Sequence, residues 1–286
     1  MSDRFTFLRI TRVDDFLEHF EERLVEEAKS LGADLLVFCD RPWLGEHLQL
    51  ALSDKIEIAL LSFNSFDDWK ASLNKDTRYE LRKGNRQGIE ARVLDRPSVS
   101  EAEQILSLYR EVPFREGRYF AEYDKWNLSR FLRKTQTNEQ YICTVASYED
   151  RIIGFSKVKL KGQVAVVGTM LSSISARRMV KGAAQSLLSK QIEILSDMGV
   201  KYLTYGKLSA GLTGLDHFKI SHGFKRIIVN YNYLPLTRKG KFFAKCGFYQ
   251  PPDIMFTTKF RSVVPAIESV QTHLPLGLIQ KLHLYA

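Results

Sequence analysis

Cysteine is scarce in this chain. Its three thiols, Cys39, Cys143 and Cys246, are spread over 286 residues with no CxxC spacing, which excludes a disulfide framework and a dithiol or zinc-ribbon site. Cys39 and Cys143 fall in apolar, strand-like segments and read as buried reduced thiols. The histidines His19, His47, His222, His273 and His283 show no ligand spacing, so no metal centre is expected. No apolar run reaches the ~20 residues that cross a bilayer, and the opening MSDRFTFLRI lacks the apolar core of a secretion signal. These absences point to a reducing, cytoplasmic setting without an integral membrane segment. Gly-x-Ser-x-Gly, GxxxxGK(S/T) and the dinucleotide fingerprint are missing as well, which removes the usual serine-hydrolase, P-loop and Rossmann readings.

Acidic residues are in deficit. Forty-two Lys and Arg against 33 Asp and Glu leave a net charge of +9. That balance favours anionic partners: nucleic acid, nucleotides, phosphorylated cofactors or a membrane surface. The hydrophobic content, 44%, supports an ordinary core for one large domain or two modest ones.

Patterning divides the chain in three. Residues 1–90 alternate strand and helix: a strand at 4–10, an amphipathic helix at 14–31 stopped by Gly32, buried strands at 33–39 and 56–63, a short helix at 42–52 and a charged helix at 67–87. Residues 91–235 read as a second unit. It holds a strand at 89–94, helices at 98–110 and 123–134, a hairpin of 141–148 with 152–160 tipped at Glu149-Asp150-Arg151, and a strand at 164–171. A long helix at 178–198 follows, then a strand at 202–205, a short helix at 215–221 and a strand at 226–234. Residues 236–286, broken by prolines, form a tail with helices expected at 262–270 and 276–284. The fold class is α/β.

Two stretches could carry chemistry. At 177–184 an apolar strand gives way to a helix through Arg177, Arg178, Lys181, Gly182, Ala183 and Ala184. Small residues let backbone N–H groups approach a phosphate there, and a helix N-terminus favours negative charge. The same small residues would equally serve close packing. At 201–225 a strand breaks at Gly206-Lys207, crosses a Ser/Gly loop and re-enters as a short helix bearing Phe218-Lys219 before a His-Gly-Phe stop. That places Lys219 beside the open end of a strand, where α/β folds put ligands. A third feature is a basic ridge, Lys75, Arg78, Arg82 and Arg86 at helical spacing, able to hold a phosphate chain or to stand solvated.

The element order and the loop Gly182-x-Ala184 followed by Leu187-Leu188 resemble the GNAT acyltransferase superfamily, whose pyrophosphate loop is (Arg/Gln)-x-x-Gly-x-(Gly/Ala). Met179 stands where that pattern has Arg or Gln. The tract 75–84, with Gly206-Lys207 and Phe218-Lys219 four residues before Gly223, is similar to the Fem-type aminoacyltransferases and their relatives, with Thr204 and Lys207 in place of an Asp and an Arg. The resemblance covers about residues 55–235. It implies a GNAT-like mixed, splayed sheet with flanking helices at 91–235, after a smaller α/β half that is a candidate degenerate copy.

The implied activity is transfer of an acyl group from acyl-CoA to a small-molecule or peptide amine. The pyrophosphate would lie at 181–184 and the carbonyl near Thr169, Met170 and Leu171, while Lys219, Asp216 and Tyr205 are the candidate catalytic residues. Many relatives place a tyrosine at the position of Lys219; a lysine supplies a fixed positive charge for an oxyanion or leaving group. Arg78, Arg82 and Lys207 are candidates for holding the substrate. Two alternatives stand beside this reading. One is transfer from an aminoacyl-tRNA to a peptide or lipid-linked precursor; the other is a non-catalytic GNAT-fold binding module. No general-base carboxylate is found in 164–171.

Overall fold

The computed structural model describes residues 10–12, 22–111, 114–115, 118–119, 127–136, 141–208 and 213–245. The expected strand at 4–10 (all but its last residue), the start of the helix at 14–31, Cys246 and both tail helices lie outside these residues.

In chain order the elements are β1 (Ile10–Arg12), α1 (Glu22–Ser30), β2 (Leu35–Cys39), β3 (Ser53–Ser62), α2 (Phe66–Ser72), α3 (Lys75–Arg86), β4 (Glu90–Val93), α4 (Val99–Glu111), β5 (Phe114–Arg115), β6 (Arg118–Tyr119), α5 (Leu128–Gln136), β7 (Tyr141–Tyr148), β8 (Arg151–Lys161), β9 (Val164–Ser172), α6 (Ala183–Asp197), β10 (Tyr202–Lys207), α7 (Gly214–Ser221), β11 (Lys225–Pro235) and α8 (Arg238–Lys245). Nine strands form one sheet in the order β1-β2-β11-β3-β10-β9-β8-β7-β4. Among the described residues only β1–β2 and β9–β10 pair in parallel. Strand β3, from before residue 90, lies between β10 and β11 from after it. Residues from both sides of position 90 therefore share a single sheet.

The long strands follow simple patterning. The segment LLVFC of β2 is buried at every position, as a continuous apolar run demands. The β7–β8 hairpin turns at Glu149 and Asp150, with φ of 47° and 59°, the left-handed pair that a two-residue turn requires. On one face α6 lays Leu188, Ile192 and Leu195 against Val158, Ala165, Val167 and Leu203, and Trp69 of α2 and Leu81 of α3 join the same cluster. On the other face α4 and α5 cover Val145, Phe155 and Leu171 with Ile105, Tyr109 and Phe131. Cys39 and Cys143 are buried and reduced, and burial pushes the Cys143 thiol up to about 11.

Three expectations are corrected. The charged stretch 67–87 is two helices, because Asn74 accepts a hydrogen bond from the Thr77 N–H at 2.7 Å and starts α3 afresh; a capping side chain there competes with continuation of α2. The stretch 42–52 keeps only a 3-10 turn at Pro42–Leu44, closed by Gly45 in the left-handed region. The helix expected from 178 begins at Ala183, since Gly182 adopts φ 119° and a separate 3-10 turn occupies Ala176–Arg178.

The break at Gly182 also has a packing cause. A Cβ on Gly182 would stand 3.1 Å from the Gly84 Cα of α3 and 3.5 Å from Ile89 Cδ1. Two backbones thus meet where α3 crosses the entry to α6. Gly182→Ala combines that contact with a conformation that an L side chain resists, so urea unfolding is expected to lose about 1–3 kcal/mol. Gly84 has an ordinary helical backbone, and an added Cβ meets chiefly the Ser186 hydroxyl at 3.2 Å. Gly84→Ala should therefore cost less than Gly182→Ala in the same measurement, and the reverse order would refute this account of the crossing.

Candidate functional site

Strands β9 and β10 share three register pairs, Val164 with Tyr202, Ala165 with Leu203 and Val166 with Thr204, and then part. Each carries an irregularity just beyond the last pair. On β9 the register against β8 skips at Gly168, which lies between residues paired with Val158 and Lys157. On β10 the register against β3 jumps from Thr204 to Lys207, with Gly206 at φ 62°. Bulges bend strands and raise their local twist, so the two turn apart and leave an opening between Gly168–Leu171 on one side and Tyr205–Lys207 on the other. Thr169 and Met170 are half-buried at this edge, while the Leu171 side chain is wholly in the core beneath α4. Leu171 can therefore offer only main chain to a ligand.

Helix α7 sits at the open end of β10. Thr213 and Asp216 form a capping box, the Thr213 hydroxyl accepting from the Asp216 N–H at 3.2 Å and Asp216 accepting from the Thr213 N–H at 3.4 Å. One turn later Lys219 donates to the Lys207 carbonyl at 2.7 Å, its Nζ 3.6 Å from the Asp216 carboxylate and 5.1 Å from the Tyr205 ring centroid. Lys219 and Asp216 are 3% and 2% exposed, an ion pair taken almost wholly out of water. Lys219, Asp216, Tyr205 and Lys207 are thus brought together. Asp216 is engaged by the cap and by the ammonium, which makes it the partner that orients Lys219. The exposed side chain of Lys207 turns its Nζ to 5.0 Å from the Tyr231 ring centroid.

The entry to α6 lies on the same face of the sheet as α7, with the α2–α3 pair between them. Trp69 Nε1 donates to the His222 carbonyl at 3.0 Å, and the Thr77 hydroxyl to the Ser221 carbonyl at 3.1 Å. Met179 and Val180 N–H groups are consumed by the Ala176 carbonyl at 2.9 Å. From Ala183 onward the amides belong to the first turn of a helix, which has no carbonyl partners of its own. Beside them Lys181 is exposed, whereas Ala183 is buried. The six-residue loop read from the sequence is thus open only in its second half. Arg177 is bonded to the Ser172 hydroxyl at 2.5 Å and Arg178 is exposed. On α3 the buried positions are Thr77, Leu81 and Gly84, so Lys75, Arg82 and Arg86 face solvent; Arg78, half-buried, donates to the Ala71 carbonyl.

Sequence reasoning overlooked Glu111, the last residue of α4. Its carboxylate accepts from the N–H groups of Ile174 and Ser175 at 2.9 and 2.7 Å and from the Ser173 hydroxyl at 3.1 Å. Burial alone would raise its pKa, but these hydrogen bonds outweigh it and hold the group below its ordinary 4.5. Glu111 so fixes the loop that carries β9 into α6. Nothing at position 111 signals a contact with residues more than sixty positions away. His222 was passed over too: its Nδ1 lies 2.7 Å from the Phe218 carbonyl, its Nε2 is buried without a partner, and burial lowers its pKa from 6.5.

No protein-family profile matches the chain, and no curated protein matches its sequence. Among solved structures it is similar to FemX, with a TM-score of 0.51 and 10% identity over 73% of this chain and 76% of that one. It is also similar to L-PGS from Bacillus licheniformis (TM-score 0.49, 14% identity, 78% and 76% coverage). A third is the C-terminal DUF2156 domain of a putative lysylphosphatidylglycerol synthetase from Agrobacterium fabrum (0.48, 17%, 73% and 71%). The chain shares the mixed α/β fold of FemX.

The His222 environment sets a pH dependence. Because the folded state disfavours the imidazolium, the unfolded chain binds the extra proton, and stability rises with pH across that window. His222 therefore contributes fully above about pH 6.5 and less as pH falls below it, whereas Glu111 acts in a lower window, where carboxylates protonate. The melting temperature is expected to drop between pH 7 and pH 5.5, and His222→Asn, which keeps a donor toward the Phe218 carbonyl, should flatten that slope. An unchanged slope in the variant would refute the assignment.

Proposed function

We propose that this chain transfers an acyl group to an amine, with the reacting carbonyl held in the opening between β9 and β10 and Lys219 as the charged group beside it. The parting of two parallel strands after three paired residues, with a buried ammonium at its mouth, is the observation that carries this reading. Residues 169–171 pair with β8 on one side, and their other side, where the pairing of β9 with β10 has ended, suits an extended acyl donor lying as an additional strand. The amine nitrogen attacks the carbonyl carbon, the bond to sulfur or oxygen breaks, and the amine proton leaves through solvent. Negative charge gathers on the carbonyl oxygen and then on the departing atom, and Lys219 stabilises one or both. Positioning supplies much of the rate. An acyl-CoA is the preferred donor, its phosphate beside the amides of 181–184.

A second donor is favoured by one observation. Helix α3 crosses the α6 entry at Gly84 and presents Lys75, Arg82 and Arg86 to solvent, so the basic ridge abuts the proposed phosphate position. That arrangement suits the longer phosphate chain of an aminoacyl-tRNA.

The two donors separate experimentally. An acyl-CoA should raise the melting temperature by several degrees and release thiol when a suitable amine is added. Lys219→Met should lower kcat by about 10²–10³ with little change in KM, at an unchanged circular dichroism spectrum. Salt-dependent tRNA retention that Arg82→Ala/Arg86→Ala weakens, without an acyl-CoA shift, would move the assignment to the second donor. Full turnover in folded Lys219→Met would remove that residue from the chemistry.

A further inference from the structure

Helix α8 follows β11, runs RKGKFFAK and contains no acidic residue. It is fixed to the body by its small residues. Gly240 lies so close to the first residues of β2 that any added Cβ would overlap the Asp34 carbonyl, and Ala244 is buried behind it. Thr237 donates to the Asp34 carboxylate at 2.8 Å and accepts from the Gly240 N–H at 3.0 Å. With Gly240 and Ala244 inward, Arg238, Lys241, Phe242 and Lys245 fall at i, i+3, i+4 and i+7 on the exposed face. Phe242 is 50% exposed among three cations.

The segment 174–181 repeats the pattern. Ile174 and Met179 are 42% and 71% exposed, and Arg177, Arg178 and Lys181 share the segment, whose own sequence has no acidic residue, although the Glu111 carboxylate binds the N–H groups of Ile174 and Ser175. Both segments leave the sheet at the same end. Strands β9 and β10 are parallel, β10 is antiparallel to β3, and β3 is antiparallel to β11. So β9 and β11 run the same way, three strand steps apart (roughly 14 Å) where β9 and β10 are paired and wider beyond Val166, where those two strands part.

Exposed apolar side chains beside cations, twice at one end of a sheet, suit a surface that is anionic outside and apolar just beneath. We propose that this end of the molecule docks on an anionic lipid bilayer, with Phe242 and Met179 entering the headgroup–acyl boundary and the six cations meeting lipid phosphates. Nucleic acid fits less well, because Ile174 and Met179 have no π-face on which a base could stack. No described helix is long and apolar enough to cross a membrane, so the attachment is peripheral. It does not depend on the proposed acyl transfer.

Flotation of the full chain with vesicles tests this without any substrate. Binding is expected to phosphatidylcholine–phosphatidylglycerol vesicles and not to phosphatidylcholine alone. Arg238→Ser/Lys241→Ser/Lys245→Ser should weaken it on the order of a hundredfold, at about fivefold per cation. Phe242→Ser should weaken it about tenfold while the melting temperature stays unchanged. Absence of binding, equal binding to neutral vesicles, or a loss reproduced by added tRNA with no effect of the apolar substitution would each overturn the proposal.

Discussion

The separation of β9 from β10 is the constraint on which the candidate site depends. Parallel strands ordinarily continue to pair, because each unpaired amide or carbonyl in a protected place costs free energy. Here both strands depart from register within two residues of their last shared pair, at Gly168 and at Gly206. What keeps the opening from collapsing is support from outside it. Strand β8 pairs with β9 on both sides of the Gly168 irregularity, and β3 pairs with β10 up to Lys207 while β11 backs β3 over eight residues. The first ninety residues therefore supply the strand that holds one wall of the site. A chain lacking β3 would leave β10 as an edge, free to close on β9.

Helix α3 is the second contribution of that region. Its buried side, Thr77, Leu81 and Gly84, touches α7, the core and the α6 entry in turn. Gly182 consequently answers two demands. It must turn the chain into α6 at φ 119°, and it must leave room for a helix backbone. A phosphate placed beside 181–184, as proposed, would sit next to α3, and the charges that α3 carries would belong to the electrostatics of that position.

Much of the sheet was legible because buried strands announce themselves as apolar runs, as at 35–39 and 164–172, and because turns need particular residues. The start of α4 is set as locally: Ser98 Oγ accepts from the Glu101 N–H, and the Glu101 carboxylate accepts from the Ser98 N–H in return. Helix boundaries misled where a single residue decided them. Asn74 and Gly45 each ended a periodic pattern that the flanking residues would have continued. Tertiary partners were illegible. Nothing near Gly182 points to Gly84, nor near Glu111 to the backbone of Ile174 and Ser175, since those contacts exist only once β9, α4 and α6 have been packed. Lys219 was legible as a position, through the strand–break–helix pattern, whereas its burial against Asp216 was not.

That burial bears on how Lys219 can act. An ammonium and a carboxylate removed from water together cost desolvation that their attraction only partly returns, and here the capping box and the Lys207 carbonyl satisfy further valences of the pair. At 3.6 Å the Asp216 charge cancels most of the lysine field at long range, so the pair behaves as a short dipole rather than as a lone cation. A distant anion gains little from it. An oxygen or sulfur brought within hydrogen-bond distance of Nζ on the side away from Asp216 still meets the positive end, in surroundings of low dielectric where the interaction is strong. Such a group rewards close placement and contributes little to steering. In the proposed transfer, steering then falls to the exposed cations on α3, which leaves the buried pair to discriminate between an atom in the opening and one merely near it.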